Sequence, residues 1–146
     1  LIIKKSMYIY MDSEIWGPHG WFFLHTITFT YPDNPSPNEK AQYYNFFINL
    51  QYVLPCEICK KNYPNHLKEL PLDDMALENK KSLTKWLVGI HNLTNRDLNK
   101  PQMKYKEVLK RFNEIFEGKK NKSNKVILYL IGILVILYLI NRFLMK

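Results

Sequence analysis

The chain has 146 residues, 47% of them apolar and 14% aromatic, which is enough for one packed domain of ordinary size. Its formal charge of +8 is typical of a nucleic-acid-binding protein, but residues 1–118 hold 15 basic and 13 acidic residues, a net charge of only +2. The other basic residues surround one apolar stretch, so nucleic acid is not the predicted partner. Two cysteines are too few for the several disulfides that hold a small secreted domain together.

Helical patterns dominate the chain before that stretch. No run of alternating apolar and polar residues between turn pairs indicates a strand, so the predicted fold class is all-α. Pro32 and Pro55 end two predicted helices, because proline and the residue before it are unfavourable in a helix. Ser36 and Glu39 form the pattern of a capping box, with Pro37 at the first helical position. The predicted helices cover residues 17–30, 37–53, 56–67, 75–98 and 105–116.

The apolar stretch near the end of the sequence is Val126–Ile140, 15 residues without a charged or amide side chain. Including the residues to Met145 gives about 20, the length of a helix that crosses a bilayer core. A buried core helix is the alternative, but the stretch is apolar on every side. We therefore expect 126–145 to be a transmembrane tail anchor after a basic linker, 118–125. The lysines of the linker favour the cytoplasmic side for the preceding domain.

The two cysteines, Cys56 and Cys59, lie three residues apart, a spacing at which a disulfide can form, break and exchange. Cys56 is expected at or near a helix N-terminus, where the helix dipole stabilises a thiolate. A zinc site is an alternative, although the second closely spaced ligand pair of zinc fingers is absent. Its candidate ligands are both cysteines, His66 and one of His19, His25 or His91. Inert buried thiols are the other alternative, whereas a thioredoxin-like fold needs a βαβ context.

Two further motifs flank the cysteine pair, one before it and one after it. They read Trp16-Gly17-Pro18-x-x-Trp21-x-x-Leu24-His25-Thr26 and Trp86-x-x-x-x-His91-Asn92-x-x-Asn95-x-x-Leu98-x-Lys100-Pro101. In this order and spacing, with Cys56-x-x-Cys59 between them, the motifs resemble the Erv/ALR family of FAD-linked sulfhydryl oxidases. The resemblance covers residues 15–112, nearly the whole predicted soluble domain.

The resemblance implies a four-helix bundle with a short fifth helix, which binds FAD between its helices. The implied oxidase domain spans 15–117 and follows an N-terminal extension at 1–14. Trp21 and His25 share one helical face, as do His91 and Asn95, because each pair is four residues apart. The residues that match cofactor-binding positions of the family are Gly17, Trp21, His25, Tyr31, His91, Asn92, Asn95, Leu98, Lys100, Arg111 and Phe112.

The resemblance also implies a reaction. A substrate thiolate attacks Cys56, Cys59 faces the flavin, and the electrons pass through FAD to O2, giving H2O2. The sequence has no second, shuttle cysteine pair, so the expected electron donor is a thioredoxin- or glutaredoxin-like dithiol protein that reaches Cys56 directly. Such minimal forms resemble those of large DNA viruses that assemble in the cytoplasm, so the expected location is a host membrane or the virion. The resemblance also implies a homodimer. The alternative function is a zinc-binding or structural membrane-anchored adaptor.

Some positions depart from the family pattern. Val88 and Tyr105 stand where many members have a structural disulfide, so apolar packing is expected to replace that cross-link. Thr30 stands where an aromatic residue often contacts the flavin. Asn99 replaces a glycine, and Phe112 replaces a late tryptophan. These departures affect single assignments rather than the family resemblance.

Overall fold

The computed structural model describes residues 12–144, with side chains except those of 119–125 and 143. All regular secondary structure in this part of the chain is helical, which confirms the predicted all-α class. The chain divides into one compact unit that ends at Tyr105 and a second that begins at Lys106. The five helices are α1 (Ser13–Phe29), α2 (Pro37–Val53), α3 (Glu57–Glu69), α4 (Lys80–Asp97) and α5 (Tyr105–Leu144).

Helix α1 begins four residues before the predicted start at 17. Asp12 is its N-cap, and the Asp12 side chain accepts a hydrogen bond from the Glu14 backbone N–H at 2.8 Å. Pro18 lies inside the helix, and because proline has no N–H, the Glu14 carbonyl lacks its usual partner there. The cap at Asp12 therefore sets the start, and the helix continues through a residue that usually interrupts one.

Helix α2 has the predicted bounds, and its capping box is present. The Ser36 side chain accepts a hydrogen bond from the Glu39 N–H at 3.3 Å, while the Glu39 carboxylate accepts one from the Ser36 N–H at 2.7 Å. The bond from the Ser36 backbone also lowers the pKa of Glu39. Two of the N–H groups that lack helical partners at a helix start are thereby satisfied.

Helix α4 is shorter than the predicted span 75–98, which was wrong at its start. The helix begins at Lys80, and Asn79 is its N-cap. The residues before Asn79 form turns, and the Leu77 carbonyl within them accepts a hydrogen bond from the Tyr31 hydroxyl at 2.9 Å. Contact with a distant part of the chain thus fixes this segment, and local helical periodicity does not reveal such a contact.

The end of α4 is closed by Asn99, which has a positive φ of 52°. The Asn99 N–H donates to the Arg96 carbonyl at 3.0 Å, and the Lys100 N–H donates to the Asn95 carbonyl at 2.8 Å. This pair of bonds is the Schellman motif, in which a left-handed residue satisfies the last carbonyls of a helix. Asparagine tolerates this conformation better than other residues with a side chain, so it can replace the glycine of the family pattern.

The core of the first unit lies among α1 to α4, where α4 packs against α1 and α3, and α3 packs against α2. The Tyr63 hydroxyl of α3 donates to the Phe47 carbonyl of α2 at 3.0 Å. The Phe47 and Trp86 rings meet edge to face, with centroids 5.2 Å apart. These contacts fix α3, and with it the cysteine pair at its N-terminus. The buried core residues are Tyr31, Phe47, Tyr63, Leu72, Leu77, Leu83, Trp86, Leu87 and Ile90.

Helix α5 runs for 40 residues, so the prediction of a short fifth helix was wrong. The backbone of 119–125, predicted as a linker, is helical. That segment contains no proline, and the single interruption before it, Gly118, costs a helix only about 1 kcal/mol. Within the described residues, no helix has the length and apolar character needed to cross a membrane. The transmembrane anchor is therefore not confirmed.

Candidate active site

Cys56 and Cys59 are joined by a disulfide at the start of α3, with their Cα atoms 5.1 Å apart. Cys56 is the N-cap of the helix, and its Sγ accepts a hydrogen bond from the Cys59 backbone N–H at 3.3 Å. Both sulfurs therefore lie in the first turn, where the N–H groups point toward them and the helix dipole favours negative charge. This position stabilises a thiolate when the disulfide opens, as the sequence predicts.

The charged residue between the cysteines is neutralised by a neighbour. Glu57 accepts a hydrogen bond from Lys60 Nζ at 2.8 Å, an ion pair one turn along the helix. A carboxylate beside a thiolate would disfavour the ionised sulfur, and the ammonium group offsets that effect. Ile58, the other intervening residue, has 60% of its surface exposed.

An aromatic cluster joins α1 to α4. The rings of Trp21 and His91 are stacked with centroids 3.8 Å apart and planes 5° from parallel. His25 Nε2 and His91 Nδ1 are 3.1 Å apart and hydrogen-bonded, so one of these nitrogens donates and the other accepts. The two motifs that flank the cysteines in the sequence thus meet in space, where these rings join α1 to α4.

His25 is buried, and burial lowers its pKa from 6.5 to about 4. Desolvation has this effect because it disfavours the charged imidazolium relative to the neutral ring. At neutral pH the cluster therefore contains a neutral His25, able to donate through one ring nitrogen and accept through the other.

Asn92 and Asn95 bind the segment that follows α4. Asn92 donates to the Met103 carbonyl and accepts from the Met103 N–H, both at 2.9 Å. Asn95 donates from Nδ2 to the Pro101 carbonyl at 3.2 Å. Since both groups of the Asn92 amide are occupied, this residue holds the 101–103 backbone in place. The sequence shows these asparagines but not their partners, Met103 for Asn92 and Pro101 for Asn95, because a backbone group leaves no residue signature.

The other predicted cofactor residues occupy different surroundings. Gly17 lies on the α1 face of Trp21 and His25, and a Cβ built at Gly17 would meet no atom within 4 Å. Tyr31 is completely buried in the core, so its ring has no surface accessible to a ligand. Leu98 and Lys100 are exposed at the end of α4. On α5, in the second unit, Arg111 is exposed and Phe112 is buried.

The open space at Gly17, beside the stacked rings of Trp21 and His91, suits a flat cofactor such as a flavin. A planar ring system gains from an aromatic surface, and Trp21 and His91 are only partly buried, whereas the buried His25 holds His91 through their hydrogen bond. Trp16 adds a buried Nε1–H that has no partner among the described residues. Sequence reasoning gave Trp16 no role, and its place in the first motif is the only signal that could have indicated one.

His66, a candidate zinc ligand, interacts with Asp97 instead. His66 is buried, its Nε2 lies 2.7 Å from Asp97 Oδ2, and the hydrogen bond lowers the pKa of that carboxyl group. Arg96 beside it binds Glu69 through two bonds of 2.6 and 3.0 Å. In the part of the chain that the structure covers, no three His, Cys, Asp or Glu residues form a group able to hold a metal ion. The network ties the end of α3 to the end of α4.

The chain is similar in sequence and in fold to several known proteins. The chain is 40% identical over 113 residues to a protein of Acanthamoeba polyphaga mimivirus named a probable FAD-linked sulfhydryl oxidase, covering 77% of this chain and 79% of that one. It is 30% identical over 92 residues to the FAD-linked sulfhydryl oxidase of African swine fever virus, with 63% and 75% covered. The crystal structure of the FAD-binding domain of Erv1 from Saccharomyces cerevisiae superposes with a TM-score of 0.64 at 27% identity, covering 71% of this chain and 96% of that chain. The model of the Erv1/Alr family matches residues 18–113, and the chain belongs to this family.

Proposed function

We propose that this protein is a FAD-linked sulfhydryl oxidase, which forms disulfides in a dithiol protein and passes the electrons to O2. The observation that carries the proposal is the disulfide of Cys56 and Cys59 at the N-terminus of α3, in a chain whose viral relatives are named for this activity. These relatives also support a viral origin. A disulfide in the first turn of a helix has a stabilised leaving thiolate, which is what an exchange reaction needs.

The exchange proceeds in two steps at the cysteine pair. A substrate thiolate attacks Cys56 Sγ, a substrate–Cys56 disulfide forms, and the Cys56–Cys59 bond breaks with Cys59 leaving as a thiolate. The second substrate thiol, after losing its proton, attacks the sulfur of its own partner cysteine, which releases Cys56 and the oxidised substrate. Two electrons and two protons have then left the substrate. Bound FAD supplies the chemistry that takes up the two electrons and delivers them to O2, giving H2O2.

The chain's own residues provide the surroundings for the cofactor. Trp21 and His91 offer partly buried aromatic rings, Gly17 offers open space on the helix face of Trp21, and the buried His25 holds the His91 ring in place through their hydrogen bond. Lys100 supplies an exposed positive charge after α4, suited to a phosphate group. These residues bind and orient, while α3 presents the reactive sulfurs.

An absorption spectrum combined with an oxygen electrode tests the proposal on the full chain. We expect the purified protein to be yellow, to bleach with dithiothreitol in the absence of O2, and to consume O2 when dithiothreitol is supplied. Cys59→Ser should abolish turnover and keep the flavin, whereas Trp21→Ala should lose flavin. Met75→Ser, a change at an exposed position, is the control that keeps both. A colourless protein without thiol-dependent O2 uptake would contradict the assignment.

A homodimer is the proposed assembly, formed through α1 and α2. Support comes from exposed aromatic side chains on these helices: Phe23 is 59%, Tyr44 42% and Phe46 37% exposed. Exposed aromatic residues of this kind are enriched at protein interfaces. We expect light scattering to give twice the chain mass, and Phe23→Ser combined with Phe46→Ser to shift the protein toward the monomer.

The proposed electron donor is a thioredoxin- or glutaredoxin-like dithiol protein.

We also propose that the segment 126–145 attaches the protein to a membrane, with the catalytic domain on the cytoplasmic side, on a host membrane or in the virion. Support comes from its apolar side chains, which are between 48% and 78% exposed on the described part of α5. The lysines of 119–125 suit an anionic lipid surface. The full chain should float with anionic vesicles, and a chain truncated after Gly118 should not. Equal flotation of both chains would contradict the proposal.

A further inference from the structure

Three exposed apolar side chains lie around the disulfide, two before it on α2 and one within it. Tyr52 and Val53 are each 69% exposed at the end of α2, and Ile58 between the cysteines is 60% exposed. We call Tyr52, Val53 and Ile58 the apolar rim. Exposed apolar residues scattered singly need no explanation, but these three lie within seven residues of chain that include Cys56 and the start of α3.

Disulfide exchange at Cys56 requires that the substrate protein come close to the apolar rim. Two cysteines that share a disulfide have Cα atoms about 4.4 to 6.8 Å apart. A substrate cysteine bound to Cys56 therefore brings its own backbone to within about 7 Å of the Cys56 Cα. Val53 is three residues from Cys56 and Ile58 two, so their Cα atoms lie within about 11 and 8 Å of it. Residues beside the substrate cysteine thus reach Val53 and Ile58.

The charge between the two cysteines is paired and does not by itself select a charged substrate. Glu57 points into solvent, with 90% of its side chain exposed, but it is paired with Lys60 at 2.8 Å. A paired surface carboxylate and ammonium attract an outside charge less than either group would alone. Beside this ion pair, the exposed side chains of Val53 and Ile58 offer apolar contact to the substrate.

We propose that the apolar rim determines substrate specificity, selecting dithiol proteins whose reactive cysteine is flanked by exposed apolar side chains. The inference rests on the proposed oxidase function and extends it to the class of substrate. In the mixed disulfide, the flanking apolar residues of the substrate cover Val53 and Ile58, and the burial of apolar surface favours this encounter. Small polar thiols react with Cys56 without that contribution.

Competition between defined substrates tests the inference on the full flavin-loaded protein. Two peptides carry the same Cys-x-x-Cys unit, one with leucine and phenylalanine beside it and one with serine in their place, and dithiothreitol is the reference thiol. We expect kcat/KM for the apolar peptide to exceed that for the serine peptide by about tenfold, consistent with the burial of one or two apolar side chains. Val53→Ser and Tyr52→Ser should each reduce this ratio, whereas the control Met75→Ser should leave it unchanged.

The outcomes separate this inference from the assignment of function. Absence of O2 uptake with dithiothreitol in the unaltered protein would contradict the oxidase function itself. Normal uptake with equal kcat/KM for both peptides, or an unchanged ratio in the Val53 and Tyr52 variants, would overturn the inference alone. A change of oligomeric state in these variants, measured by light scattering, would assign the rim to contact with a second copy and would also overturn it.

Discussion

Lowering the pH should destabilise this protein through His25, whose pKa in the folded state is about 4 against 6.5 when free of its surroundings. The sign follows from proton uptake. Between these two values the unfolded chain binds a proton at this position and the folded chain does not. The free energy of unfolding therefore falls as the pH decreases from about 6.5 toward 4, and the His25 contribution is fully present above that window.

The magnitude follows from the two pKa values. Going from about pH 7 to pH 4.5, a group with pKa values of 6.5 and about 4 changes the free energy of unfolding by about 2 kcal/mol. His25 is only 2% exposed, so solvent does little to screen this effect. Such a loss is a large part of the stability of a small domain.

Urea unfolding monitored by circular dichroism measures the free energy of unfolding at several pH values. The measurement is made on the unaltered protein and on His25→Asn. The variant cannot titrate at this position, so the difference between the two curves isolates His25 from the carboxyl groups that titrate in the same range. Flavin must be held at one fixed concentration, because a ligand of the folded state adds to its stability. Parallel curves for the two proteins between about pH 7 and pH 4.5 would refute the reasoning.

Paired substitutions at three positions have further expected outcomes. Asn92→Ala should lower the free energy of unfolding in urea by about 2 kcal/mol, because it removes two hydrogen bonds to Met103. Asn92→Asp keeps only the acceptor, so its stability should lie between those of the unaltered protein and Asn92→Ala. Asn99→Gly should leave the thermal midpoint nearly unchanged while Asn99→Val lowers stability by about 1 to 2 kcal/mol, because φ is 52° there. Phe47→Ala should cost about 3 to 5 kcal/mol by chemical unfolding, since the ring is fully buried, and Phe47→Leu clearly less. Equal midpoints for the two variants of a pair would contradict the corresponding argument.

The helices that carry their own start and stop signals could be predicted from the sequence. The capping box of Ser36 and Glu39 gave α2 its bounds, and Pro55 indicated where α3 begins. The start of α4 could not be predicted, because the segment around Leu77 is fixed by the distant hydroxyl of Tyr31. A rule based on neighbouring residues does not include such a partner.

In the candidate active site, too, some features could be predicted from the sequence and others could not. Helical spacing predicted that Trp21 and His25 share one face and that His91 and Asn95 share another. That these two faces meet is shown by the structure, in which α1 packs against α4. The roles of the asparagines did not follow, because Asn92 binds backbone groups of Met103, and any residue at 103 other than proline would offer the same groups. The roles of the remaining predicted cofactor residues stay predictions.

Cys56 is the N-cap of α3 and, in the proposed reaction, the sulfur that the substrate attacks, so each round of disulfide exchange also changes how the start of that helix is capped. In the disulfide form, Cys56 Sγ accepts the Cys59 N–H at 3.3 Å. When Cys56 is bound to a substrate, its sulfur is held by a second protein and the freed Cys59 thiolate is drawn toward the same group of N–H donors. The exchange rate of one amide proton, that of Cys59, should then report which partner the enzyme is bonded to at a given moment.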